Sequence, residues 1–495
     1  MRTKGVVGSV AIVLWAVSLG SAGAELRLID AAKRSDGAAV RALVKQGLDV
    51  NARAGDGATA LHWAAYRGRA DLIQLLVRSH AAVNATNDLG VTPLWVAASV
   101  RGTATVEALL AAGAKPKLVP PTGETPLMIA ARMGNLEAIT LLIAHGADVN
   151  AKEAARGQTA LMWAVSERQP QAAKLLIDAG ADLHARTVAA KRFVQLCCSD
   201  YNGDARGTAW VDYGGFTPFL LAAREGSVES AEYLLAAGAN VNDTAADGST
   251  ALVVAALSGQ SAVAQLLIEH GADLNATGGG YAPLHATVLR GELSLAESLM
   301  AHGADVNVRL TRATQARRSQ DDYAFDRKLI GATPFMLAAR DGEAAFMRAF
   351  AAAGADTSIG LPDGSPPLAV AARGEQHFKT AQTGGIGLGQ RVLGLRALEA
   401  VKVVVELGAD VNGADRSGNT AMHVAAQKRF EGIIRFLAEN GARLDVKNQF
   451  GDTPLALALR PLPPAPGALV LVQGMEMVDD GPKIAEVLRS LGAKE

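Results

Sequence analysis

The chain's only thiols are the adjacent pair Cys197 and Cys198. Adjacent cysteines can close a strained vicinal disulfide or hold a soft metal, so they mark one place where redox or metal chemistry could sit. Catalysis also needs a positioned acid, base or metal, and none can be nominated around them. The nine histidines form no catalytic set. His62, His285 and His423 recur at one place in a repeated pattern. His80, His145, His270 and His302 close helical segments, where a cation suits the helix dipole. His184 and His377 fall in loops. No H-E-x-x-H, G-x-S-x-G or Walker sequence occurs. The glycine run Thr383 to Gly389 lacks G-x-G-x-x-G spacing, a preceding strand and a following Gly-Lys-Ser/Thr. It reads as a flexible loop. The expectation is a non-enzyme without metal or cofactor.

Residues suited to recognition are more plentiful. Phe193, Tyr201, Trp210, Tyr213 and Phe216 crowd one short stretch of a chain that is 4% aromatic. Aromatic side chains are common interface anchors, though they also build local cores. A second stretch, Val308 to Leu329, holds Arg309, Arg312, Arg317, Arg318, Arg327 and Lys328 with Tyr323 and Phe325. Net charge is −1, with no acidic or basic tail, so nothing global argues for nucleic acid.

These residues are positioned by a repeat. The stretch Gly123 to Asn150 reads GETPLMIAARMGNLEAITLLIAHGADVN. Thr125 can cap a helix whose first position is Pro126. Leu127, Ala130 and Ala131 give that helix an apolar stripe, and Gly134 can end it in the left-handed conformation. Leu136, Ile139, Leu142 and Ile143 predict a second helix, ended by Gly146. Asp148 and Asn150 then form a turn. Copies of the Thr-Pro position fall at Thr59, Thr92, Thr125, Thr159, Thr217, Thr250, Ala282, Thr333, Pro366, Thr420 and Thr453. Most successive gaps lie within one residue of 33. An earlier unit, Leu26 to Asn51, lacks the Thr-Pro start but ends GLDVN.

The pattern G-x-T-P-L-x-x-A-A-x-x-G, a leucine-rich helix and G-A-D-V-N resembles the ankyrin repeat. The resemblance covers nearly all of residues 25–495. It implies an all-α solenoid of helix-turn-helix units with β-turn arms, stacked as one curved body. An N-terminal cap over 25–55 precedes about eleven repeats over 56–495. It also implies that His62, His285 and His423 bond neighbouring backbone, and that a protein partner binds through the arm tips and the concave face. The chain resembles exported bacterial multi-ankyrin proteins.

Three gaps exceed the period, and the excess locates insertions. Gaps of 58 and 51 against 33 put 25 extra residues near 187–212 and 18 near 308–329. Both leave from arm tips on one edge, roughly 24–30 Å apart for helices spaced 8–10 Å. A gap of 54 puts 21 residues near 374–397. These lie between the two helices of a repeat, with the second helix expected over Leu398 to Leu407. The last repeat is broken by Pro461 to Gly481, with a short extended piece over Leu469 to Val472, and closes with a helix over Lys483 to Leu491.

A cation also recurs seven or eight residues after the Thr-Pro position: Arg67, Arg132, Arg224, Arg290, Arg340, Arg373, Lys428 and Arg460. Such a row at inner-helix ends either complements the helix dipole or faces an anionic ligand or polymer. Residues 1–24 have a basic start, an apolar run and Ala22-Gly23-Ala24, the pattern of a cleaved export signal. The expectation is a periplasmic or secreted monomer with no stable membrane insertion after cleavage. Asn84, Asn242 and Asn275 begin N-x-T sequons, but each also stands where a turn needs asparagine. The function expected is a non-catalytic scaffold. The alternatives are an anion binder along the arginine row and redox or metal chemistry at Cys197-Cys198.

Overall fold

The computed structural model describes residues 26–100, 102–195, 208–312, 329–374, 390–461 and 480–494. These carry helix after helix in pairs, the all-α ankyrin-type arrangement that the repeat pattern predicts. They fall into two compact units. One lies within Met1–Val188 and Gly215–Asn240, the other within Ala189–Gly214 and Val241–Glu495. Each unit holds six helix pairs among the described residues.

The local chemistry is that of the repeat. Thr125 is extended and its hydroxyl accepts from the Met128 N–H at 3.1 Å, with Pro126 at the first helical position. The same cap recurs at Thr92, Thr159, Thr217, Thr250, Thr333 and Thr453. Gly134 ends the helix Pro126–Met133 at φ 66°, a conformation that strains any residue with a Cβ. Leu127 through Ala131 are buried, as are Ile139 and Leu142 of the following helix Leu136–Ala144. Within each unit the first helices of successive repeats pack in one layer and the second helices in another. The core between them is mostly Ala, Leu, Val and Ile.

At seven arms an asparagine side chain ties the arm to the next. Asn51 donates to the His80 carbonyl at 3.1 Å and accepts from Ala82 at 2.7 Å. Asn84, Asn150 and Asn412 repeat both bonds. Asn242, Asn275 and Asn307 accept from the next arm in the same way. The three sequon asparagines are thus rungs of this ladder.

The third insertion departs from expectation. The second helix of that repeat runs Gln390–Glu406, beginning eight residues before Leu398. Gln390 to Ala397 are strong helix formers apart from Val392 and Gly394, so the helix extends backwards. The first helix shortens to Pro367–Ala372. The Phe430 ring takes up the space beside Gly374 and Gly394: Cβ atoms there would lie 2.7 and 3.0 Å from it. The closing helix runs Gly481–Ser490, two residues earlier than expected at its start, because Pro482 is accepted in a first turn. The extended piece expected over Leu469 to Val472 lies outside the described residues.

Candidate partner interface

The first insertion is built onto an arm without altering it. In regular arms an N–H bonds the carbonyl four residues on: Ala54 to Ala58 at 2.8 Å and Asn87 to Val91 at 3.0 Å. In the interrupted arm that bond joins Thr187 to Phe216 at 3.0 Å, 29 residues apart instead of four. The Thr187 hydroxyl also accepts from the Phe216 N–H at 2.9 Å. The second interrupted arm closes likewise, Leu310 to Ala332 at 2.9 Å.

Between Thr187 and Phe216 the chain forms an antiparallel hairpin, β1 (Ala190–Gln195) and β2 (Thr208–Tyr213). The register sets Phe193 opposite Trp210 and Lys191 opposite Asp212. Tyr213 lies opposite Ala190 at the base and is half-buried. These strands are the departure from a purely helical chain. Val194, Trp210, Val211 and Tyr213 are strand formers, and their β propensity was the sequence signal, since neither AKRFVQ nor TAWVDY alternates. Phe193 and Trp210 share a rung of the hairpin. Phe216 belongs to the stack: it is 6% exposed, with the Arg224 guanidinium 5.1 Å above its ring. Burial leaves little of the Phe216 ring at the surface. Tyr201, Cys197 and Cys198 lie outside the described residues, as do residues 313–328 of the second insertion.

The cation row resolves into local contacts. Arg224, Arg373 and Arg460 each reach back eight residues along their own repeat, to Phe216, Ser365 and Asp452 respectively. Arg132 faces Glu124 over the same interval and lies 5.0 Å over the Trp163 ring of the next repeat. Burial raises the Glu124 carboxyl above its ordinary pKa; Arg132 opposes this and Glu153 adds to it. Arg67 donates to the Lys33 carbonyl at 2.7 Å, capping the preceding helix, and lies 5.6 Å over Tyr66. Arg340 stands 3.8 Å from Asp341, with both side chains largely buried. The Arg290 guanidinium lies 2.7 Å from where a Gly259 Cβ would sit. Lys428 is exposed. The dipole argument is thus realised between repeats at Arg67, which satisfies the carbonyl at the end of the helix Leu26–Lys33. The sequence signal missed was the eight-residue interval.

The histidines behave as the resemblance implies. Nδ1 of His62, His285 and His423 accepts the N–H of Thr59, Ala282 and Thr420. Their Nε2 atoms donate to the carbonyls of Val91, Ala332 and Asp452 at 3.0, 3.2 and 3.2 Å. Burial pushes the His62 and His285 imidazoles down to about 4, and lowers that of His423. His145, His270 and His302 each bond the carbonyl four residues earlier at 2.8 Å. Among the described residues no group of three or more His, Cys, Asp or Glu could hold a metal, and no helix is long and apolar enough to cross a membrane.

Comparison with known proteins agrees with this architecture. A family model described as ankyrin repeats (3 copies) matches residues 28–120, 101–187, 219–309 and 393–461. Protein fem-1 homolog A of Bos taurus is 42% identical over 57 residues, which is 12% of this chain and 9% of that protein. Human protein phosphatase 1 regulatory subunit 27 is 40% identical over 57 residues, 12% of this chain and 37% of its own length. Both matches span a minor part of the relative. The crystal structure of the human ASB11 ankyrin repeat domain is 26% identical, covers 49% of this chain and 96% of its own, and aligns with a TM-score of 0.41.

Proposed function

Because the chain belongs to the ankyrin-repeat family, whose repeats generally mediate protein–protein interaction, we propose that it is a non-catalytic scaffold and that the hairpin β1–β2 carries contacts to its protein partner. One observation supports this most directly. The arm closes through Thr187 and Phe216 as if the 25 residues were not there. A segment that the stack does not need for its own bonding is free to serve recognition. Phe193 and Trp210, paired across the hairpin, are the anchor types that interfaces favour. The reading along the arginine row is less favoured, because most of its members are engaged by neighbouring carbonyls, carboxylates and rings. The same proposal takes the chain to act as a monomer outside the cytoplasm, after removal of residues 1–24.

The test removes residues 188–212, which restores the four-residue spacing between Thr187 and Phe216. Helical circular dichroism and cooperative unfolding should be retained. Affinity for the partner, identified by crosslinking in the native compartment, should fall by about 2 kcal/mol or more, the size of a hot spot. Loss of the fold would make the hairpin a structural element. Full stability with unchanged affinity would move the interface elsewhere.

A further inference from the structure

Seven arm asparagines form the ladder, and only one precedes glycine. Asn51, Asn84, Asn150 and Asn275 are followed by alanine, Asn242 by Asp243 and Asn307 by Val308. Asn412 is followed by Gly413. The turn does not require this glycine. Gly413 is not among the positive-φ residues, and a Cβ there would meet the Asp410 carbonyl oxygen at 3.2 Å, a snug fit that other rungs accept with alanine. A glycine in this place does have a chemical consequence. With no side chain on the following residue, its backbone nitrogen can approach the asparagine carboxamide.

We propose that Asn412–Gly413 is a self-modification site, at which deamidation unties two neighbouring repeats. The Gly413 amide gives its proton to solvent base, and its nitrogen attacks the Asn412 carboxamide carbon. A C–N bond forms, ammonia leaves, and a five-membered succinimide results. Water then opens the ring at either carbonyl, giving aspartate or isoaspartate.

The folded chain restrains both reacting groups. The Gly413 N–H donates to Asp410 at 3.0 Å. The Asn412 amide donates to the Gly441 carbonyl at 3.2 Å, and its oxygen accepts from the Arg443 N–H at 2.8 Å. Reaction therefore proceeds when this rung opens, and its product records the opening. The converted rung is also weaker. A carboxylate oxygen replaces the amide nitrogen and meets the Gly441 carbonyl, acceptor against acceptor. Isoaspartate adds a methylene to the backbone as well. Two other Asn-Gly pairs occur in the chain: Asn202–Gly203 lies outside the described residues, and the Asn440 amide bonds Phe436 within its own helix, so that side chain ties no arm to the next.

The experiment incubates the full chain at mildly alkaline pH, folded and in urea, and follows the tryptic peptide Val403 to Arg416 by mass and by chromatography that resolves isoaspartate. The folded chain should convert at Asn412, more slowly than the unfolded chain, and Gly413→Ala should slow conversion strongly in both. Asn412→Asp should make the Arg443 amide exchange with solvent about tenfold faster. An amide that persists at Asn412 in the folded chain, while the unfolded chain converts, would overturn the proposal. So would an unchanged Arg443 exchange rate in Asn412→Asp.

Discussion

Acidification within a narrow window should weaken the stack through two buried histidines. His62 and His285 are 2% and 0% exposed. Each receives a backbone N–H at Nδ1 and donates from Nε2 to a carbonyl of the next repeat. A proton on Nδ1 would set donor against donor and place a charge in a dry site. Burial therefore holds both at about 4, below the ordinary 6.5. Their folded pKa lies below the unfolded one, so the unfolded chain binds more protons between the two values. Their contribution is complete above 6.5 and is lost as pH falls from there towards 4. At about pH 5.5 the loss is on the order of 1 kcal/mol for each histidine, from the ratio of the two protonation polynomials. The carboxyls with lowered pKa values, Asp71, Asp356, Asp363 and Glu431, start from ordinary values of 3.8, 3.8, 3.8 and 4.5, so they add little in this window. Urea unfolding followed by circular dichroism at about pH 7.5 and about pH 5.5 measures the slope. His62→Gln should remove its share of the pH dependence while costing stability at the higher pH. An unchanged slope in His62→Gln, or an imidazole resonance titrating near the ordinary value, would refute the reasoning.

Three further outcomes follow from single positions. His80 holds φ 66° where the matching turns carry Gly113, Gly146 and Gly180 at 83–88°; His80→Gly should raise stability by about 0.5–1 kcal/mol, the left-handed strain less the entropy of glycine, and a lower melting temperature would show another role for the ring. Asn150→Ala removes bonds of 3.2 and 2.7 Å to Gly180 and Asp182 and should cost about 1–2 kcal/mol in denaturant unfolding, where no loss would mean that the ladder only decorates the arms. N-terminal sequencing of exported protein should begin at Glu25, and retention of Met1 would end the cleaved-signal reading.

The repeat was legible because each unit carries its own punctuation. Thr125, Pro126 and Gly134 state where a helix starts and stops, and the described structure follows them. The buried histidines were legible for the same reason, since one spacing recurs with one bonding pattern. The hairpin was not, because neither AKRFVQ nor TAWVDY carries the period-two alternation by which a strand is recognised. Phe216 neighbours the other aromatics in sequence but sits on the stack side of the Thr187–Phe216 bond. The contacts of the cation row were not legible from one residue per repeat. Its partners lie eight residues back or one repeat away, where a single-position pattern does not reach.

The three insertions show where this fold accepts extra chain. At an arm tip the two ends of the insertion are already joined by one backbone bond, four residues apart in a regular repeat. Thr187–Phe216 and Leu310–Ala332 keep that bond with 25 and 18 more residues between them. Closing a longer loop costs only about 0.6 kcal/mol for each doubling of its length, so the arm keeps its geometry. Between the helices a backbone bond also exists, Asn135 to Ala130 at 3.0 Å and Ser227 to Ala222 at 3.1 Å, but it closes a tight turn around one left-handed glycine, which sets how the two helices join. There the addition changes both helices, shortening one to Pro367–Ala372 and extending the other to Gln390–Glu406. Gly374 and Gly394 are then needed to let Phe430 pack. A new binding element can therefore be added at an arm without re-solving the core, which is the physical reason to look for the partner at the hairpin.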